Sequence, residues 1–305
     1  VASFQPIAKR AVLLSVITIC SGFLVIGLEL ENPFRLAIYL FLSPNFTSNI
    51  WWMGVLYSFE VVLLIIEFIL LMLDRHRAST VAGLLGIIFG IAAISNLGGV
   101  FAMLNGRESW YGSYLPIFFI ASAVLMGSAA VVFFTVIAHW VRREPLGVAI
   151  RESLAAVSRL AGLMLAVVMF LTVWRMVTLT VGGTHEAMVY KAFVSGAFAF
   201  NFWVYEVALG LIIPFILLVL TRGRSVGVSF VAAFLIIFCA FIMRLDMVVA
   251  GQIVPMYWEL GVKEYSRLNA YAPTWHEIFV VLGGVGLSGA AFLLGEKVFD
   301  SLGEA

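Results

Sequence analysis

The chain has 305 residues, of which 63% are hydrophobic and only 11% charged, and its mean hydropathy of +1.09 leaves it short of the polar surface that a soluble protein of this size needs. A formal net charge of +1, dispersed among connections, argues against a nucleic-acid partner. Two cysteines, Cys20 and Cys239, are too few for an iron–sulfur cluster or a four-ligand zinc site; both lie in apolar runs, read as packing residues, and leave the redox compartment open.

A helix crossing a bilayer core needs about 20 apolar residues, and eight stretches qualify. The first, Ala11 to Leu30, follows Lys9 and Arg10. It is long for a signal peptide and has no small-residue cleavage site, so it reads as a retained helix. The second, Trp51 to Leu73, carries Glu60 and Glu67, two helical turns apart on one face and about 10 Å apart along the axis. The third, Thr80 to Leu104, contains Gly86-Ile-Ile-Phe-Gly90, whose glycines read as close-packing positions. The fourth, Pro116 to Val141, follows Tyr114 and holds His139 near its end. The fifth, Ser153 to Val181, contains Arg159 and Arg175; the sixth, Asn201 to Leu220, contains Glu206. The seventh, Val226 to Ala250, holds Arg244 and Asp246, and the eighth, Trp275 to Leu294, begins with His276 and Glu277. The expected fold class is all-α membrane, with eight transmembrane helices and no residual soluble domain.

Lys9/Arg10, Arg75/Arg77, Arg142/Arg143/Arg151 and Arg222/Arg224 fall in alternate connections, which the positive-inside rule makes cytoplasmic together with both termini. The opposite connections are longer and their charges are balanced: Arg35, Arg107/Glu108, Glu186/Lys191, and Glu259/Lys263/Glu264/Arg267. Seven of the eight tryptophans, Trp51, Trp52, Trp110, Trp174, Trp203, Trp258 and Trp275, lie near that outer side. An aromatic belt would populate both interfaces. The imbalance points to an outer face that does more than meet lipid, with a one-sided belt as the plainer alternative.

Self-comparison aligns Tyr57-Ser-Phe-Glu60-Val-Val-Leu-Leu-Ile-Ile with Val204-Tyr-Glu206-Val-Ala-Leu-Gly-Leu-Ile, with Glu60 and Glu206 in register. Tyr114-Leu-Pro116 likewise aligns with Tyr271-Ala-Pro273. Two parallel-repeat four-helix bundles follow, residues 1–150 and 151–305; four spans return the chain to its starting side, so both copies face the same way. Chance similarity between apolar helices is the alternative.

An ionisable side chain at the centre of an inserted helix costs roughly 2.5–3.5 kcal/mol. Glu60, Glu67, Arg159, Arg175, Glu206, Arg244, Asp246 and Glu277 should therefore face the bundle interior, either as interhelical ion pairs or as working groups. By depth, Arg175, Arg244, Asp246, His276 and Glu277 form an outer polar cluster, with Glu60 and Glu206 beneath it and Glu67, His139 and Arg159 toward the inside. Membrane b-type haem generally takes paired histidines on facing helices. Of the four histidines, His76 and His185 are in connections, and His139 and His276 are at opposite ends of their spans, so haem is not expected.

Several stretches resemble the NrfD-like membrane subunits, the family of the polysulfide reductase membrane subunit and its sulfite-linked and hydrogenase relatives. Glu29-Leu-Glu-Asn-Pro33-Phe-Arg35 is similar to the family's acidic-x-x-x-Pro-x-Arg turn. Ser43-Pro-Asn-Phe-Thr-Ser48 with Trp51-Trp-Met-Gly54, Tyr114-Leu-Pro-Ile-Phe-Phe-Ile-Ala-Ser, Arg244-Leu-Asp246 and Tyr271-Ala-Pro-Thr-Trp-His-Glu277 resemble its later segments. The resemblance implies a haem-free subunit of a quinone-linked oxidoreductase complex in the prokaryotic cytoplasmic (inner) membrane. It would bind quinone, with menaquinone the expected type, bind no metal, and exchange electrons with an extracytoplasmic ferredoxin-like iron–sulfur subunit that serves a catalytic subunit. Many members carry a further helix ahead of the Pro-x-Arg turn helix. Its counterpart is not evident here, which implies either a native chain longer than this sequence, as an opening Val1 suits, or a pocket built differently.

Quinone reduction takes two electrons and two protons and needs polar groups at the carbonyl oxygens, apolar walls and a proton route. The quinone-binding candidates are Trp51, Tyr114, Arg244, Asp246, His276 and Glu277; the proton-path candidates are Glu60, Glu67 and Glu206. A secondary transporter and a passive membrane anchor for catalytic subunits are the rival functions.

Overall fold

A computed structural model describes residues 4–255 and 271–299. Every regular element among them is helical: α1 (Gln5–Glu29), α2 (Pro33–Leu42), α3 (Asn49–Met72), α4 (His76–Ala102), α5 (Tyr114–Arg142), α6 (Val148–Val181), α7 (Thr184–Val194), a π-helix, π1 (Asn201–Ile212), running directly into α8 (Ile213–Thr221), then α9 (Val226–Ile253) and α10 (Trp275–Val298). Eight spans are long and apolar enough to cross a membrane, π1 and α8 together making the sixth. They coincide with the eight expected stretches, and the protein is a multi-pass membrane protein. Trp258, Glu259, Lys263, Glu264 and Arg267 lie outside the described residues.

The local causes of several boundaries can be read from the sequence. Pro6 and Pro33 occupy first-turn positions of α1 and α2, where no backbone N–H is needed. Ser48 caps α3 by accepting a hydrogen bond from the Trp51 N–H at 3.4 Å. Thr274 and Glu277 form a reciprocal capping box at the start of α10. The connections also hold two short helices, α2 and α7. The second has Glu186 in its first turn and Lys191 in its last, which suits the helix dipole. On α3 and α4, Val62, Ile65, Ile69, Leu84, Ile87 and Ile88 are exposed on the protein surface, the pattern of helices whose outward faces meet hydrocarbon.

Packing divides the chain into two compact units. Unit 1 comprises Val1–Leu97, Phe134–Ser153 and Pro273–Ala305; unit 2 comprises Gly98–Phe133 and Leu154–Ala272. In unit 1, α1 packs against α3 and α10. At its core Arg10, only 1% exposed, donates through Nε and Nη2 to the two carboxylate oxygens of Glu296 at 2.7 and 3.0 Å, and its Nη1 lies 2.8 Å from Nε2 of His139. Unit 2 is built on α9, which packs against π1, α8 and α7. There α7 contributes Val189, Ala192 and Phe193 to an apolar core that also takes in Leu179, Phe202, Ala250 and Val254. The packing units and the expected repeat of residues 1–150 and 151–305 divide the chain along different lines, one by contact and the other by sequence similarity.

Candidate functional site

In unit 2, the connection after α4 is fastened to the end of α9. Arg107 donates from Nη1 to the Val254 carbonyl at 2.8 Å, and the buried Trp110 donates from Nε1 to the Met247 carbonyl at 3.1 Å. The indole lies directly on Gly251, where any Cβ would collide with it. This fixes the entry to α5, and Tyr114 in its first turn donates its hydroxyl to the Leu171 carbonyl of α6 at 3.1 Å while stacking on Phe118.

Beside this anchor is a cleft of about 490 Å³ whose lining includes Trp110, Tyr111, Tyr114, Phe170, Trp174 and Arg175. Glu108 and Glu186 also reach it. Its volume suits a small organic ligand, and its aromatic walls suit a planar ring.

Arg175 links the cleft to a buried acidic pair. The guanidinium carbon lies 4.6 Å over the Phe193 ring supplied by α7, and Nη1 is buried without a hydrogen-bond partner among the described residues. Phe193 in turn meets Phe202 of π1 edge-on at 5.7 Å, which joins this ring to the segment that carries Glu206. Glu206 is 1% exposed and neither carboxylate oxygen has a hydrogen-bond partner among the described residues. Asp246 accepts from Asn201 Nδ2 at 3.1 Å through Oδ1, while Oδ2 has no hydrogen-bond partner among the described residues. Buried polar groups are nearly always satisfied, so such a concentration of orphaned atoms marks a place where water, a proton or a ligand takes part. The π geometry at Glu206 agrees, because π segments recur at functional sites.

The expected quinone-binding residues divide between the units. Tyr114, Arg244 and Asp246 lie in unit 2, and Trp51, His276 and Glu277 in unit 1. Of the unit 2 set only Tyr114 lines the cleft. Arg244 and Asp246, two residues apart, point about 200° apart around α9: Arg244 donates from Nη2 to Ser122 Oγ of α5 at 3.0 Å and lies over Phe119, whereas Asp246 turns to π1. In unit 1, Trp51 donates from Nε1 to the Leu40 carbonyl at 2.8 Å. The exposed His276 lies 3.1 Å from Glu29 Oε1, and Glu277 Oε2 accepts from the Thr274 N–H and hydroxyl at 2.6 and 2.9 Å. Arg175 and Trp110 were visible in the sequence as an ionisable residue within a span and an outer tryptophan. The phenylalanine under Arg175 and the asparagine on Asp246 gave no such signal.

The expected proton-path residues Glu60 and Glu67 share a further construction in unit 1. A Cβ at Gly90 of α4 would lie 2.7 Å from Glu60 Oε1, and one at Gly83 would lie 2.5 Å from Glu67 Oε1. Both pairs are spaced by seven residues, so two carboxylates of α3 rest on two glycines of the antiparallel α4, where an added Cβ would make each carboxylate shift.

The sequence matches the family described as polysulphide reductase, NrfD, over residues 1–256. The chain belongs to the NrfD polysulphide reductase family. A selenate reductase subunit of Mesobacillus selenatarsenatis is similar to it, with 23% identity over 221 residues, which covers 70% of this chain and 50% of that protein. The chain thus spans about half the length of this curated relative. The NrfD match takes in α1 through α9, including Tyr114, Arg175, Glu206, Arg244 and Asp246; His276 and Glu277 of α10 fall beyond it.

Proposed function

We propose that this NrfD-family chain is the haem-free, quinone-reactive membrane subunit of a respiratory oxidoreductase complex. It would exchange electrons between the quinone pool, menaquinone by preference, and an extracytoplasmic ferredoxin-like iron–sulfur subunit that serves a catalytic subunit. The proposed location is the prokaryotic cytoplasmic membrane with both termini inside. Family membership and the likeness to a protein named as a reductase subunit favour this class. The observation that carries the site assignment is the buried Glu206, neither of whose carboxylate oxygens has a hydrogen-bond partner among the described residues, in the same unit as the aromatic cleft that Arg175 lines.

A quinone supplies two-electron, two-proton redox chemistry. In this scheme Trp110, Trp174 and Phe170 would hold a planar ring. Arg175 Nη1 and the Tyr114 hydroxyl provide polar groups at the cleft. Glu206 would accept or return a proton, and Asp246, oriented by Asn201, would form the next acidic station. Trp51, Arg244, His276 and Glu277 are proposed as binding residues each within its own unit, Arg244 in unit 2 and the other three in unit 1. Glu60 and Glu67 form a separate acidic ladder along α3, proposed to carry protons across part of the membrane and so couple the chemistry to the membrane potential.

Photo-crosslinking of the intact complex with an azido-quinone tests the site. Adducts on α5 and α6 around Tyr114 and Trp174, suppressed by excess quinone, are expected. Adducts confined to other spans would overturn the assignment. For the ladder, Glu60→Gln is expected to lower proton uptake by complex-containing vesicles; full quinone turnover with full proton uptake would remove Glu60 from the scheme.

A further inference from the structure

Sixteen residues before Arg175 on α6, about 24 Å along the helix, unit 2 carries a second polar construction that the proposed redox chemistry does not use. A groove of about 530 Å³ is lined by α6 and α8 and by the turn after α8; Ser158, Arg159, Leu163, Phe215, Arg222 and Arg224 are among its lining residues.

The sequence builds this groove locally. At Gly162, α6 faces α8: a Cβ there would make ordinary van der Waals contact with Leu218 Cβ at 3.8 Å. α8 then stops at Arg222, which adopts a left-handed conformation with φ 52°, followed by Gly223 with φ 68°. The turn is fixed by backbone bonds from Arg222 N–H to the Val219 carbonyl, from Gly223 N–H to Leu218 and from Arg224 N–H to Thr221, at 3.1, 3.1 and 3.0 Å. It presses onto α6: a Cβ at Gly223 would lie 2.9 Å from Ser158 Cβ and 3.0 Å from the Ala155 carbonyl oxygen. Both turn arginines thereby line the same groove as Arg159.

Three guanidinium groups line the groove, and among the described residues no carboxylate joins them. Ser158 is 1% exposed, and its Oγ has no hydrogen-bond partner among the described residues. Along the groove the walls become apolar, and Leu163 and Val219 are exposed on the protein surface at membrane-spanning positions. Three cations with an unpaired hydroxyl call for an oxyanion. Apolar walls at membrane depth call for hydrocarbon, which a soluble anion does not provide. We infer that this groove binds an anionic phospholipid, its phosphodiester against Arg159, Arg222, Arg224 and the Ser158 hydroxyl and an acyl chain along Leu163 and Phe215. Basic pockets between spans at the headgroup level are suited to such lipids.

Native mass spectrometry of the delipidated protein in its complex, titrated separately with cardiolipin, phosphatidylglycerol, phosphatidylcholine and inorganic phosphate, tests the inference. One of the two anionic lipids should bind and phosphatidylcholine should not compete. The combined variant Arg159→Gln/Arg222→Gln/Arg224→Gln should weaken anionic-lipid binding on the order of a hundredfold. Arg75→Gln/Arg77→Gln, which removes basic residues of unit 1 outside the groove, should leave it unchanged. Leu163→Trp, which keeps every arginine, should weaken it about tenfold by filling the acyl wall. Undiminished binding in both the triple variant and Leu163→Trp, or equal binding of phosphatidylcholine, would overturn the inference. Displacement of bound lipid by an equal concentration of inorganic phosphate would instead assign the groove to a soluble oxyanion.

Discussion

Glu206 is the residue on which most depends, because a fully buried carboxylate with no hydrogen-bond partner among the described residues contributes little to folding. Replacing it should separate function from stability. Glu206→Gln is expected to lower quinone-linked activity of the complex by a factor on the order of 100, while its unfolding temperature in detergent stays the same or rises; equal losses of both would mark the residue as structural. Gly90 gives the complementary test. Gly90→Ala should cost no more than about 1 kcal/mol, because its Cβ meets only the carboxylate end of Glu60, which can swing aside, and adding Glu60→Ala should remove what cost there is. A double-mutant cycle on thermal unfolding measures that coupling. The sequence displayed Glu60, Glu67, Arg175, Glu206 and Asp246 because each interrupts an apolar run. It did not reveal which way they point. Arg244 and Asp246 look like one cluster in the sequence, yet two residues on a helix diverge, and the partners that decide their roles, Ser122 and Asn201, are ordinary polar residues far away in the chain.

Among elements, π1 has the greatest consequence for the site. Its wider turns set the direction of Glu206 relative to Gly210, whose backbone lies against Cys239 of α9. Deleting Ala208 should return the segment toward α-helical register. The expected result is loss of quinone-linked activity with membrane insertion intact, checked by turnover together with yield of folded protein in detergent. At the start of α10, Thr274→Ala removes both arms of the capping box that involve its hydroxyl and should cost about 0.5–2 kcal/mol, measurable by thermal unfolding. All eight spans were legible because hydrophobic length is a strong signal. α2 and α7 were not, since ten or eleven residues in a connection are too short for that signal and α7 is held in place by Phe202, Ala250 and Val254. The π geometry has no composition of its own. Glu60 and Glu206, aligned by the proposed repeat, therefore sit in different backbone conformations, one in regular α-helix and the other in π1.

On the scale of the whole molecule, length, composition and charge placement sufficed to identify a multi-pass membrane protein, and the ordered motifs pointed to its family. What holds each unit together was less visible. In unit 1, Arg10, Glu296 and His139, from α1, α10 and α5, meet in the interior although they are up to 286 residues apart. Glu296→Ala would strand the Arg10 charge and should destabilise by roughly 3–5 kcal/mol, whereas Arg10→Met with Glu296→Leu should restore much of that loss. Comparing their unfolding temperatures checks the prediction. The central claim, that this chain gives quinone access to electrons of an oxidoreductase complex through the Arg175–Glu206 site, is most directly tested by stopped-flow electron exchange between a short-chain quinol and the iron–sulfur centre of the purified complex. Arg175→Met and Glu206→Gln are each predicted to slow that exchange about 100-fold with the subunits still assembled. Wild-type rates in both variants would contradict the account.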